Sequence, residues 1–299
     1  MKIIVTGSLG NISKPLTREL VQNGHSVTVV SSKTERQKDI EAMGATAAIG
    51  TMQDIEFLAE TFKGADVVYL MEALAEGSFF DHSLDLIDAV TKIGSNYKQA
   101  IHASGVKRVV HLSSIGAHTD TGNGMLKFHY NVETILKQLP NDVSIKFMRP
   151  VGFYYNMFAY IQTIKKQGAI VSNYGGDEKE PWVSPLDIAA VIADEIEKPF
   201  AGREVRYIAS DEVSPNDVAK ILGDAIGKPD LKRVVVSDEQ LLNGMVAAGM
   251  NPQTAKGYVE MNVAIGNGTL YEDYYRNRPV LSKTKITDFS KEFAVVYNQ

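Results

Sequence analysis

Across residues 1–110, short apolar runs take turns with segments of helical spacing, and this rhythm narrows the possible folds more than any other feature. Lys2–Thr6, Ser26–Val30, Thr46–Ile49, Val67–Met71 and Arg108–Ser113 read as strands. Between them Ile12–Gln22, Thr34–Met43, Ile55–Phe62 and Asp81–Ser104 read as helices. Ile12, Leu16, Leu20 and Val21 share one face of the first helix, and Asn23-Gly24 stops it. Gly44 and Gly105 stop two others, and Asp54 stands where an N-cap belongs. A helix around Asn131–Leu139 precedes a sixth strand, Ser144–Met148. Strands joined by helical crossovers pair in parallel. Continuously apolar strands are covered on both faces. The expected fold class is therefore α/β, a doubly wound parallel sheet of Rossmann type with a small C-terminal α/β subdomain.

After Arg149-Pro150 the rhythm loosens. Helices are expected at Tyr155–Lys166, Pro185–Glu197, Pro215–Ile226 and Glu239–Ala248, with strands at Trp182-Val183 and Glu204–Ile208. The expected organisation is a nucleotide-binding domain over 1–154, to which 181–210 returns. Residues 155–180 and 211–299 form a subdomain on the substrate side. No repeat or low-complexity linker interrupts the chain.

Composition closes several routes. The 299 residues contain no cysteine, which removes disulfides, zinc thiolates, iron–sulfur clusters and a thiol nucleophile together. A net charge of -5 lacks the basic excess of a nucleic-acid binder. No apolar run approaches the length of a membrane span, and the strand pattern begins at Ile3, leaving no room for a leader. A cytoplasmic location, no membrane partner and no nucleic-acid partner are the resulting expectations. A homodimer is left open.

The chemistry-bearing motif is Gly7-Ser8-Leu9-Gly10-Asn11-Ile12-Ser13, between the first strand and the first helix. Gly7 permits a tight turn, and Gly10 lets backbone approach a phosphate. The helix that follows points free N–H groups and the positive end of its dipole at an anion. Thr6, Gly7, Leu9, Gly10, Asn11 and Ile12 are the expected pyrophosphate contacts. Ser13 takes the third glycine position, where a small residue keeps helix and strand close. The second strand ends in Ser31-Ser32-Lys33, with Arg36 one turn on. No carboxylate stands at that tip for a ribose 2′-hydroxyl, whereas hydroxyls and two cations suit a 2′-phosphate. The expected cofactor is NADP, with NAD the alternative because Glu35 is close.

Longer segments extend this reading. IIVTGSLGNIS, HLSSIGAH after the fifth strand, MRPVGFYYNMF after the sixth, WVSPLDIAAVIADEI and REVRYIASDEVSPNDVAKILGDAIGKP occur in one order and spacing. In that order the chain resembles the NmrA-like branch of the atypical short-chain dehydrogenase/reductases, within it the NADPH-dependent quinone oxidoreductases. The resemblance implies an adenosine-ribose site at Ser31, Ser32, Lys33 and Arg36, and an adenine site near Thr51 and Met52. Thr51 departs from the aspartate often found there. The resemblance further implies that Leu70, Met71 and Glu72 lie beside the nicotinamide ribose. Ser113 falls in the catalytic-region serine position, and Pro150 and Phe153 border the nicotinamide.

Many short-chain dehydrogenases place Tyr and Lys four residues apart on one helix face, so that the ammonium lowers the phenol's pKa. Here the matching register holds His129 and Glu133. A carboxylate one turn from an imidazole raises its pKa and orients the ring, which would make His129 a proton donor. Phe153, Tyr154 and Asn156 are the expected substrate contacts. The remaining histidines, His25, His82, His102, His111 and His118, lack metal-ligand spacing and are read as structural or surface residues. Two functions remain. One is a reductase delivering hydride to a quinone or similar electron-poor carbonyl or enone. The other is a non-catalytic NAD(P)-sensing regulator, which the missing Tyr/Lys pair would suit.

Overall fold

The computed structural model describes residues 1–299. The first half runs β1 (Lys2–Val5), α1 (Ser13–Gln22), β2 (Ser26–Ser31), α2 (Gln37–Glu41), β3 (Thr46–Ile49), α3 (Ile55–Phe62), β4 (Val67–Leu70), α4 (Leu86–Ser104), β5 (Arg108–Leu112), α5 (Lys127–Leu136) and β6 (Ser144–Pro150). The second half runs β7 (Gly152–Phe153), α6 (Tyr160–Gln167), β8 (Ala169–Ser172), β9 (Glu180–Val183), α7 (Pro185–Glu197) and β10 (Arg203–Ile208). It continues through β11 (Asp211–Val213), α8 (Pro215–Ala225), β12 (Lys232–Val235), α9 (Asp238–Ala247), α10 (Pro252–Gly266), α11 (Glu272–Arg276) and α12 (Ile286–Tyr297).

Seven strands form one sheet in the order β10-β6-β5-β4-β1-β2-β3, and every pair is parallel. Side chains alternate between its faces. Ile3 and Val5 of β1 join Leu16 and Leu20 of α1 and Ile188, Ile192 and Ile196 of α7. Ile4 joins Leu58 of α3, Val90 and Ile93 of α4 and Val132 of α5. The fold is thus Rossmann-like, with helices on both faces. Its strand order reverses between β1 and β4, the place where such sheets open a crevice at the strand ends.

A third apolar cluster gathers Tyr154, Ile161, Ile170, Trp182, Val218, Leu222, Phe289 and Phe293. Two small sheets, β11-β9-β7 and β12-β8, frame it. Residues 264–274 do not join it: Ala264, Leu270, Tyr271 and Tyr274 pack on the main core. No helix is long and apolar enough to cross a membrane.

Several expected boundaries move. The helix expected from Asp81 starts at Leu86, because the Asp81 carboxylate accepts from Ser83 N and Oγ and holds a turn (2.9 and 2.6 Å). Asp85 then caps α4. The segment 34–43 divides into a 3-10 turn, Thr34–Arg36, and α2. The helix expected from Asn131 begins earlier, at Lys127, after Asn123 pins the preceding loop to Gly116 and Thr119 carbonyls. The strand at Trp182-Val183 does not enter the main sheet; only Arg203–Ile208 of 181–210 does. Asp54 caps α3 as its position implies, accepting from Phe57 N at 3.0 Å.

Candidate functional site

Parallel strands end on one edge, so the loops after β1, β2, β3, β4, β5 and β6 converge. In the loop after β1, Gly7 has φ +87°, a conformation that favours glycine. A Cβ there would lie 2.2 Å from Met71 Sδ and 2.6 Å from Ser13 Oγ. Gly10 donates to Gly7 O at 3.2 Å, folding the loop back on itself. Ser13 donates to Thr6 O at 2.9 Å and so ties α1 to β1, as its position predicts. The first-turn geometry leaves donors free. The N–H groups of Leu9, Asn11, Ile12 and Ser13 have no acceptor in the protein, and Ile12 at the N-cap offers no side-chain oxygen. Thr6 itself is fully buried, with its hydroxyl accepting from Met71 N at 2.8 Å, so it braces the loop from beneath.

At the end of β2, Ser31 and Ser8 are joined by a hydroxyl–hydroxyl bond of 2.8 Å. Arg36 reaches over from the following turn and donates to Ser8 Oγ at 3.1 Å. Ser32 and Lys33 are exposed beside it, and Glu35 bonds to none of these groups. After β3, Thr51 is exposed, and Met52 is fixed by Asn96, which donates to its carbonyl at 3.1 Å. After β4, Met71 lies under Gly7, and its carbonyl accepts from Tyr97 OH at 2.7 Å. Leu70 is fully buried in the core, so only its backbone borders the crevice.

Glu72 departs from its expected place. Its side chain is buried against His111, whose Nε2 lies 3.1 Å from one carboxylate oxygen and 3.2 Å from the other. His111 is completely buried, which agrees with the structural reading, but its pairing with Glu72 carries no local sequence signal.

The His129–Glu133 reading is corrected more sharply. Glu133 is fully buried, and its oxygens accept from Arg149 Nε and Nη2, Ser113 Oγ and Lys137 Nζ at 2.6–2.9 Å. None of these bonds involves His129. Burial pushes the Glu133 carboxyl up, but the Arg149 guanidinium, with Ser113 and Lys137, holds it down at about 2. Its charge is spent there. The His129 imidazole falls to about 3, driven first by burial and then by the neighbouring His111, against the weaker pull of Glu133. Its Nδ1 is buried without a partner. The ring is therefore neutral near pH 7 and is not a reserve of protons. Ser113 is likewise committed, donating to Glu133 at 2.6 Å.

On the other side of the crevice, Pro150 is buried at the end of β6, and Phe153 is half-buried against the main core. Tyr154 turns away. It is 1% exposed, stacks on Phe289 at 5.3 Å and donates to Thr284 O at 3.1 Å, so it is a core residue of the third cluster. Asn156 is exposed and takes no part in side-chain hydrogen bonding within the protein.

Arg149 is the residue sequence reasoning underused. It links β6 to Glu133 of α5 and, at 3.2 Å, to Asp273 of α11, whose carboxylate also accepts from Tyr207 OH at 2.6 Å. Its adjacency to Pro150 in the Arg-Pro segment was the available signal.

A Rossmann-like sheet with a glycine loop after its first strand defines a protein of the dinucleotide-fold class. More particularly, the model of the NmrA-like family matches residues 1–292, and the chain belongs to that family. An NAD(P)H azoreductase of Xenophilus azovorans is 22% identical over 87% of this chain and 85% of its own length. Among solved structures, an NADPH-dependent quinone oxidoreductase of Escherichia coli complexed with NADPH superposes with a TM-score of 0.81, at 18% identity, over 97% of this chain and 99% of that one. A Citrobacter triphenylmethane reductase complexed with NADP(H) gives 0.76, at 17% identity, over 98% and 99%. These likenesses establish the shared fold.

Proposed function

We propose that the chain binds NADP(H) along the crevice and delivers hydride to a small electron-poor acceptor, a quinone or a related conjugated carbonyl. One observation carries the first half. The unpaired amides of Leu9, Asn11, Ile12 and Ser13 form a cradle for a diphosphate, and Arg36 sits at its rim beside Ser8 and Ser31. A guanidinium with two hydroxyls matches a 2′-phosphate, and no carboxylate bonds to that cluster. When bound, the nicotinamide supplies the hydride. The chain's own contributions are orientation and exclusion of water. Met71 backs the loop, the backbone at Leu70–Glu72 borders the ribose position, and Pro150 and Phe153 close the far side. Reduction of a quinone spreads charge over a ring, so it needs less help from a protein acid than reduction of a simple ketone. That suits a site whose His129 is neutral and whose Ser113 is committed. The NADPH dependence of the Escherichia coli quinone oxidoreductase and the use of NAD(P)H by the Xenophilus azovorans azoreductase support the same chemistry.

The commitment of Ser113 and the neutrality of His129 also favour a second reading, a cofactor-sensing regulator without turnover. Calorimetry with NADPH and NADH, paired with a quinone and azo-compound panel followed by NADPH absorbance, separates the two. Arg36→Ala is expected to weaken NADPH roughly tenfold to a hundredfold and to leave NADH nearly unchanged. Gly10→Asp, which sets a carboxylate against the diphosphate, is expected to abolish binding of both. Heat without turnover on any acceptor selects the regulator. No heat with either nucleotide in the parent protein overturns the proposal.

A further inference from the structure

None of the crevice residues lines a second cavity, of about 590 Å³, between the β8–β9 connection and the C-terminal end of α10. Tyr174, Tyr271 and Tyr275 form its aromatic wall, and Glu178, Glu180 and Glu212 contribute carboxylates. Gly266 admits α10 to this wall, since a Cβ there would lie 2.7 Å from Tyr174 Cβ.

The carboxylates differ in what they have left to offer. Glu212 is satisfied by Arg278, at 2.8 and 2.5 Å, and by Tyr274 OH at 2.8 Å. Asp177, on the same wall, accepts from Asn216 at 2.7 Å. Glu178 is exposed to water. Glu180 is only 3% exposed. Its Oε2 accepts from Tyr271 OH at 3.1 Å, while its Oε1 is buried with no partner. A buried carboxylate oxygen without a donor costs free energy that a ligand donor would recover. Arg233 of β12 is the nearby cation: its Nη atoms donate to Tyr174 O and Tyr160 OH, and its guanidinium lies 4.8 Å over the Tyr174 ring. Its Nε is buried without a partner, and it makes no ion pair with Glu180, so the open aromatic faces are those of Tyr271 and Tyr275. Lys179 is the one cation in the cavity wall and is exposed.

We propose that this cavity is a binding site for an aromatic organic cation, whose ring lies against the tyrosines and whose ammonium donates to Glu180. Tyrosine faces attract cations, and an ammonium is a donor with no acceptor, which is what an unpartnered carboxylate oxygen needs. The surplus of carboxylates over Lys179 disfavours an anion of the same shape. The site draws on no residue of the glycine loop, so it stands apart from the cofactor reading.

The groups facing Glu180 are Tyr271 from the 269–271 turn, Tyr174 from the β8–β9 connection, Arg233 from β12 and Tyr275 from α11. Burial pushes the Glu180 carboxyl up to about 7, against the pull of Arg233 and of the Tyr271 hydrogen bond. A bound cation favours the carboxylate, so binding releases the proton from Glu180 to solvent. Affinity therefore rises with pH through that region.

The test uses the full chain without nucleotide and benzylammonium as probe, with benzyl alcohol and benzoate as neutral and anionic counterparts. Trp182, the single tryptophan and two residues from Glu180, reports by fluorescence, and calorimetry provides a second readout. Benzylammonium is expected to bind at least tenfold more tightly than the other two, and more tightly at pH 8 than at pH 6. Glu180→Gln is expected to remove both the preference and the pH dependence while its amide oxygen still accepts from Tyr271. Equal binding of amine and alcohol, a preference that survives in Glu180→Gln, or no binding of the amine to the parent chain overturns the proposal. Should Glu180→Gln fail to fold, the pH dependence in the parent chain decides: a flat profile overturns it.

Discussion

The Glu133 carboxylate is sealed from water yet remains charged, because Arg149 is fixed against it by two hydrogen bonds. Removing one partner of such a pair strands the other, which typically costs roughly 3–5 kcal/mol. Glu133→Gln is therefore expected to lose stability of that order in urea unfolding, and a Glu133→Leu/Arg149→Met double variant to recover much of it. The carboxyl's folded pKa, about 2, lies below its ordinary 4.5. The unfolded chain thus binds the extra proton, so this contribution is complete above 4.5 and fades as pH falls towards 2. A stability profile that stays flat over that window in the parent chain would refute this assignment. The sequence showed Glu133 at the right helical spacing from His129 but could not show which neighbour wins its charge. Arg149 lies on another strand, and only the sheet brings it near. Gly7, Gly10, Ser13 and Arg36 were legible because their roles are local: a turn, a helix start and a strand tip. Tyr154 was misplaced for the opposite reason. Phe153 packs on the main core and the next residue, Tyr154, enters the third cluster, and an aromatic triplet does not say where the chain turns.

Elements are joined by residues whose work is invisible in pattern. Asn251 caps α10, with its Oδ1 accepting from Gln253 N and Thr254 N at 2.8 and 3.3 Å. Its Nδ2 donates to the carbonyls of Asp81 and Leu84 at 2.8 and 3.2 Å, and its own N–H bonds Phe79 O at 3.0 Å. One side chain thereby holds the β4–α4 connection, beside the crevice, to the start of α10. Asn251→Ala is expected to cost about 2 kcal/mol or more and to speed hydrogen exchange across residues 77–85. Asn251→Asp, which keeps the cap but loses the two donations, should fall between. Unchanged exchange in both would show that the connection is held by other contacts. The helices of the first half were legible because each shows one apolar stripe and a stop. In α10 buried Thr254 and Asn262 break that stripe, and the helix was missed. The strands β8 and β12 are four residues each and pair only with one another, too short and too isolated to announce themselves.

At the scale of the whole molecule, the alternation of residues 1–110 dictated a parallel sheet, and the sheet dictated the crevice. The sequence placed a return to that sheet somewhere in 181–210, and the structure narrows it to β10, paired with β6 from Arg203↔Ile145 to Ile208↔Pro150. This late return has a practical consequence for anyone who would dissect the chain. A truncation after residue 154 removes the outermost ribbon and leaves β6, with Phe147 and Met148, as a raw apolar border one strand short. It also strips α7 from the face covered by Ile188 and Ile192. Such a fragment is expected to elute as aggregate on gel filtration, because an open border of that kind templates pairing with its neighbours. A cut placed in the connection between β10 and β11 spares the ribbon but still severs Tyr271 and Tyr274 from the main core. The Rossmann-like half is thus stitched shut by chain that comes after it, and no single scissor point frees it intact.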